Sequence, residues 1–130
     1  MLPELASKLV SASVGTLATD LFLGMIPDKP DLCVALYEFS TVAPLETLGN
    51  MDATLERPGV QVLVRSGRND YVSGRNKMVE VRNILTDITD ETISGVRFLR
   101  VSPDSSINSI GVDENGRPKF TLTLSVVTER

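Results

Sequence analysis

The cleanest pattern in the chain lies near its C-terminus. From Lys119 to Thr128 apolar and polar residues alternate, with Phe120, Leu122, Leu124 and Val126 on one side and Lys119, Thr121, Thr123 and Ser125 on the other. That period of two predicts a strand with one buried and one open face. Gly59 to Arg65 alternate in the same way through Val60, Val62 and Val64 and predict a second strand. Leu32 to Phe39 are almost continuously apolar, which fits a strand covered on both faces. Leu21 to Ile26, Val96 to Val101 and Ile107 to Val112 predict three shorter strands.

The period changes after Ser66-Gly67-Arg68-Asn69. From Asp70 to about Asp87, residues Tyr71, Met78, Val81 and Leu85 recur at helical spacing, continued by Ile88, while Arg75, Lys77, Glu80 and Arg82 lie largely elsewhere. This predicts the main helix, packed through its stripe on a sheet. A short helix is predicted over residues 3–12, with Pro3 in the first turn, Glu4 near the positive end, and Leu5, Leu9 and Ala12 on one face. Pro27-Asp28-Lys29-Pro30-Asp31 predicts a firm turn, because proline fixes φ and removes donors. Asp113 to Pro118 predict a polar turn with Gly116 where positive φ costs little. Thr41 to Arg57 have no strong period and are expected to form a long loop, of the kind that a partner often orders. The sum is an α+β fold: an antiparallel or mixed sheet, one main helix over about 70–87 on one face, and a short N-terminal helix. The 130 residues suit one domain, 1–130, with a core that needs no metal or disulfide staple.

Charge adds asymmetry. The net charge is −4, so wholesale phosphate binding is not suggested. Residues 1–56 carry −6, residues 57–100 carry +3, and the last thirty carry −1. Nine of the thirteen bases are arginine, whose fork pairs bidentately with carboxylates, so the two halves read either as a mixed solvated surface or as complementary faces of neighbouring subunits. No apolar window is long enough to span a membrane, and no basic segment precedes an apolar run at the N-terminus, so neither a membrane partner nor a signal peptide is expected.

The chemistry is sparse. There is no histidine, which removes Ser-His-Asp and Cys-His nucleophiles and His-based zinc sites. The one cysteine, Cys33, lies in an apolar run and is expected to be buried packing in a reducing compartment. Asp113-Glu114-Asn115-Gly116 lacks the alternating oxygen ligands and distal Glu of a calcium loop. Asp20, Asp28 and Asp31 have no magnesium spacing, and Asp87, Asp90 and Glu91 read as a solvated helix end. Arg65-Ser66-Gly67-Arg68 matches no phosphate loop, and two Tyr with four Phe leave little for base stacking. The reading is no enzyme, no cofactor, no metal and no catalytic residue. The candidate contact residues are Arg65, Arg68 and Arg75, clustered where strand passes into helix. Gly111, Asp113, Gly116 and Arg117 are read as a structural turn, with Asp113 capping it and Arg117 pairing with an acid.

Three stretches in order carry a resemblance. Leu23-Gly24-Met25-Ile26-Pro27-Asp28-Lys29-Pro30-Asp31 runs into Val34-Ala35-Leu36-Tyr37-Glu38. Arg57-Pro58-Gly59-Val60-Gln61-Val62-Leu63-Val64-Arg65 is followed at once by the helix, and Ile93-Ser94-Gly95 by a strand. Ile110-Gly111-Val112-Asp113-Glu114-Asn115-Gly116-Arg117 then leads into the terminal strand. In order, spacing and length the chain resembles the tail terminator (minor capsid) proteins of long-tailed bacteriophages, although Thr121 and Thr123 stand where that family often has Asn. The resemblance implies a homohexameric ring that caps the tail tube, stops its polymerisation and offers a docking face to the head connector. It implies the tail tube protein and the head–tail connector or stopper protein as partners, and DNA only as cargo passing through the lumen. It places the protein in the virion tail or neck after assembly in the host cytoplasm. A head-completion or stopper protein is the alternative within virion parts, and a small dimeric α+β ligand-binding domain is the alternative from another class.

Overall fold

The computed structural model describes residues 1–40, 45–47 and 50–129. Among these described residues two helices and nine strands follow in the order α1 (Leu2–Ser11), β1 (Leu21–Leu23), β2 (Cys33–Ser40), β3 (Leu45–Thr47), β4 (Asn50–Glu56), β5 (Pro58–Arg65), α2 (Tyr71–Thr86), β6 (Thr89–Ile93), β7 (Val96–Pro103), β8 (Asn108–Val112) and β9 (Pro118–Glu129).

β9 is the axis of the sheet. Along one side it pairs antiparallel with β5, from Gly59↔Ser125 to Arg65↔Lys119, and beyond that with the end of β4 through Leu55 and Glu56. Along its other side β7 takes the C-terminal half and β8 the N-terminal half. β5 continues to β2 and, through one parallel pairing, to β1, while β6 extends β7. The mixed sheet curls into a half-barrel. Both helices lie against one face: α2 on β5, β7 and β9, and α1 on α2, β1, β2 and β6.

The alternation explains which face is covered. Phe120, Leu122, Leu124 and Val126 of β9 are buried together with Val60, Val62 and Val64 of β5 and Val34 and Leu36 of β2. Met78, Val81 and Leu85 of α2, and Leu5, Ala6 and Leu9 of α1, close that core from above. Burying a side chain of this size stabilises by about 1.5–3 kcal/mol, which ties both helices to the sheet. Asp70 starts α2 as expected, its carboxylate accepting from the Ser73 N–H at 3.3 Å. Gly74 is buried in the stripe, because any Cβ there would meet the Phe120 ring at 2.6 Å and Ser66 Oγ at 2.7 Å. Lys8 Nζ pairs with Glu91 at 2.8 Å, and Lys77 Nζ donates to the Val14 carbonyl at 2.8 Å, so polar ties complement the apolar seam around α1.

The structure departs from the sequence expectation in four places. The stretch expected as a long loop over residues 41–57 carries the antiparallel pair β3–β4, registered Leu45↔Leu55 and Glu46↔Thr54; residues 41–44 and 48–49 lie outside the described residues. β6 was not expected, because Thr89 to Ile93 are mostly polar and form a strand by pairing with β7 rather than by burying a face. β1 ends at Leu23 rather than Ile26, since Gly24 turns the chain at φ +74°. Tyr71, counted in the apolar stripe, is half-exposed, and its ring meets Phe120 edge-on at 5.0 Å between centroids.

Candidate assembly site

Two turns that are far apart in sequence meet at one end of the sheet. The Pro27–Asp31 turn precedes β2, and the Asp113–Arg117 turn joins β8 to β9. β2, β5 and β9 are neighbours, and Cys33, Arg65 and Lys119 lie in register across them, so the two turns come together at the same end.

Arg65 and Arg117 hold the first turn from below. Arg65 is buried, and its guanidinium donates to the carbonyls of Asp28 at 3.2 Å, Pro30 at 2.7 Å and Asp31 at 3.2 Å. Proline lacks an N–H, so a proline-rich turn is short of local backbone donors for its carbonyls, and a planar fork with five N–H groups fits that need. Arg117 is only 6 % exposed. It donates to the Asp28 carbonyl at 2.6 Å and pairs with the carboxylates of Asp113 at 2.8 Å, Asp28 at 3.0 Å and Asp31 at 3.2 Å. Burial works against the charge of Arg117, and the carboxylates of Asp113, Asp31 and Asp28 more than offset it, so its pKa lies above the ordinary arginine value.

The second turn closes on Asp113. Its Oδ1 accepts from the N–H groups of Asn115 at 2.9 Å and Arg117 at 3.0 Å, and its N–H donates to the Arg117 carbonyl at 3.1 Å. The Arg117 N–H leads in holding the Asp113 carboxyl below the usual carboxylate range; burial opposes it, and the Asn115 N–H and the Arg117 side chain add to it. Gly111 and Gly116 both sit at positive φ, +89° and +74°, which is why glycine occupies each. Arg68 lies against Gly116, and the Asn69 N–H donates to the Gly116 carbonyl at 3.3 Å, which ties the strand-to-helix junction to the turn.

Between the turns lies an open cleft of about 720 Å³, lined by Asp28, Lys29, Asp31 and Arg68 together with Asp113 to Arg117. Of the residues singled out in the sequence, Arg68, Asp113, Gly116 and Arg117 therefore line the cleft, Arg65 holds the turn on one side of it, and Gly111 lies near the end of β8 leading in. Arg75 stands apart, half-buried on α2. Arg65 is not the surface arginine that its place at a strand end suggests, because it is spent inside the subunit. Asp28 and Asp31 were missed as partners of Arg117, since they lie 89 and 86 residues away in sequence.

The arrangement is one of fixed ion pairs. Asp28, Asp31 and Asp113 are held by Arg117, Asp113 also by backbone N–H groups, while Glu114 is exposed; among the described residues no three of His, Cys, Asp or Glu are grouped to hold a metal ion. Cys33 is buried beside the cleft's floor; burial raises its thiol pKa, and Arg65 and Arg117 draw it down less. A second cluster sits at the far end of β9, where Arg97 bridges Asp90 at 2.7 Å and Glu129 at 2.8 Å.

The chain is thus a half-barrel with helices on one face and an ion-paired polar end. The same fold occurs in a chain of a solved structure described as the virion of a native gene transfer agent particle, with a TM-score of 0.75 over 100% of this chain and 95% of that one, at 14% identity. No curated protein matches the sequence. The sequence model of the family described as bacteriophage tail terminator protein matches residues 8–130. The chain belongs to the bacteriophage tail terminator family and is a structural protein of the phage tail.

Proposed function

We propose that this chain, acting as a single domain over residues 1–130, assembles as a homohexameric ring that caps the tail tube, ends its polymerisation and presents a docking face to the head connector. The observation that carries the reading is the family match across residues 8–130, nearly the whole of the chain. A closed ring needs a heterologous contact, in which one face of a subunit meets a different face of the next. The rigid, charged end of the sheet supplies a face whose side chains are ordered before any partner arrives, which lowers the cost of association. Of the three arginines expected at subunit or tube contacts, Arg68 and Arg75 present their side chains at or near the surface, and Arg65 serves by fixing the turn at the floor of the cleft.

In this reading the partners are further copies of the chain, the tail tube protein and the head–tail connector or stopper protein. DNA meets the ring only in passing through its lumen. The protein works by binding alone, without a cofactor, first in the host cytoplasm and then in the virion tail.

The test is tube growth. Tail tube protein of the same phage polymerises in the presence and absence of the purified chain, and negative-stain images record tube length and end structure. The reading predicts short tubes with a density capping one end when the chain is present. Tubes of unchanged length with bare ends contradict it.

A further inference from the structure

Exposed apolar side chains are not scattered over this chain. Among the described residues the large ones fall in two groups. Val10, Leu17, Met25 and Leu32 belong to the stretch around β1, from the end of α1 to the start of β2. Tyr71, Val72, Ile110 and Val112 belong to the start of α2 and to β8. A single exposed leucine needs no explanation, but apolar side chains gathered on one surface mark an interaction site.

The sheet sets the two groups on opposite edges. Leu21, Val34, Val64, Phe120 and Ser109 are partners in turn across β1, β2, β5, β9 and β8. One row thus crosses five strands, and its ends lie about 19 Å apart along the sheet at the usual strand spacing. Among the described residues no further strand pairs with β1 or β8 beyond this row. Edges are ordinarily guarded by charge or proline. Leu21-Phe22-Leu23 and Asn108-Ser109-Ile110-Gly111-Val112 contain neither, whereas the β6 edge carries Asp90 and Glu91.

Each edge has its own apolar flank. Leu17 is bridged to Leu21 on the side away from β2 and is 50% exposed. The Leu21 N–H donates to the Thr16 carbonyl at 3.1 Å, and the Leu21 carbonyl accepts from the Ala18 N–H at 2.8 Å. This edge is therefore closed to a further strand at Leu21, and what it offers there is side-chain surface. Met25 follows β1 directly after the Gly24 turn. At the other edge the Tyr71 ring meets Phe120, the neighbour of Ser109 in the row. Val72 follows Tyr71 on α2 and is 66% exposed, and Val112, opposite Pro118, is 62% exposed.

We propose that the β8 edge of one copy, with Tyr71, Val72 and Val112, packs on the β1 edge of the next copy around Leu17 and Met25. The occupant is a second copy because the chain carries both halves of such a contact, two uncharged edges with apolar flanks at the two ends of one row. A two-fold contact of β8 with β8 would leave the β1 group uncovered. The two surfaces differ, so the contact is head-to-tail, and every copy keeps one surface for a further copy until a ring closes. The inference rests on the ring reading and names the surfaces that build it.

Two variants and their mixture test it. Light scattering measures the mass of the wild type, of L17E/M25E, of V72E/V112E and of the two variants mixed in equal amounts, and circular dichroism checks that each is folded. A carboxylate buried in an apolar contact without a partner opposes it. The expected result is a ring mass for the wild type and, in each variant alone, an increase of about tenfold or more in the concentration needed for assembly. The mixture is expected to form two-copy particles and nothing larger, since the intact β8 edge of one variant meets the intact β1 edge of the other. Variants that assemble like the wild type overturn the contact and leave the ring standing. Dispersal of only one variant, or a mixture that stays at one copy, overturns the pairing of these two edges. A wild type that is monomeric at every concentration overturns the ring reading, and this contact with it.

Discussion

The carboxylate of Asp113 accepts from both the backbone N–H and the guanidinium of Arg117, at 3.0 and 2.8 Å, so one residue closes the β8–β9 turn and aims the buried arginine across to Asp28 and Asp31. The pair thereby links two turns that only the sheet topology brings together. Removing the arginine leaves three carboxylates and a carbonyl around an empty position, and such uncompensated charge is more damaging than loss of the pair as a whole. Arg117→Ala is expected to lower the melting temperature by roughly 5 °C or more, and Arg117→Lys to recover less than half of that, because an ammonium cannot serve the same spread of acceptors. Thermal unfolding followed by circular dichroism checks this; a lysine variant as stable as the wild type contradicts it.

The same turn predicts an acid response. Asp113 has a depressed folded-state pKa, led by the N–H of Arg117. A carboxyl whose pKa is depressed on folding contributes stability above its unfolded value and loses it as pH falls through the folded value. Wild-type stability therefore declines from about pH 4 downward through this group. Asp113→Asn is expected to be less stable than the wild type at pH 7, with the two curves converging as pH falls towards 2. Denaturant midpoints across that range measure it, and a gap that stays constant with pH contradicts the assignment.

Gly74 gives a prediction of unusual sign. Replacing an interior helical glycine by alanine ordinarily stabilises by about 0.5–1 kcal/mol. Here the added methyl meets Phe120 at 2.6 Å and the Ser66 hydroxyl at 2.7 Å, and that hydroxyl is engaged with the Asp70 carbonyl. Gly74→Ala is expected to destabilise by about 1–3 kcal/mol through overpacking. Urea unfolding decides the sign.

Much of this fold can be read in the chain because burial and period coincide. β9 alternates strictly, and the inward valines of β5, Val60, Val62 and Val64, are buried as their spacing predicts, although Gly59 and Arg65 of the other face are buried too. α2 begins at the Asp70 cap, and the proline turn lies where Pro27 and Pro30 require it. The misses share a cause. β6 and the β3–β4 hairpin are strands by pairing and not by an apolar period, so only their partners reveal them. The candidate site is legible in part for the same reason. Asp113 and Gly116 carry a local turn signal, whereas the Arg117–Asp28 pair and the burial of Arg65 depend on which strands are neighbours. Within the subunit Arg65 of the arginine-rich middle binds carbonyls of the acidic turn, whereas Lys8–Glu91 joins a base of the acidic half to an acid of the middle, and among the described residues Arg68 and Arg75 form no ion pair.

The proposed closure of six copies into a ring is open to light scattering of the purified protein across concentration, with negative-stain images of the same sample. A species of about 85 kDa, six times the 14.1 kDa of one chain, that images as an open ring is the expected result. A mass that stays at one copy at every concentration, or a compact two-copy particle without a lumen, contradicts it.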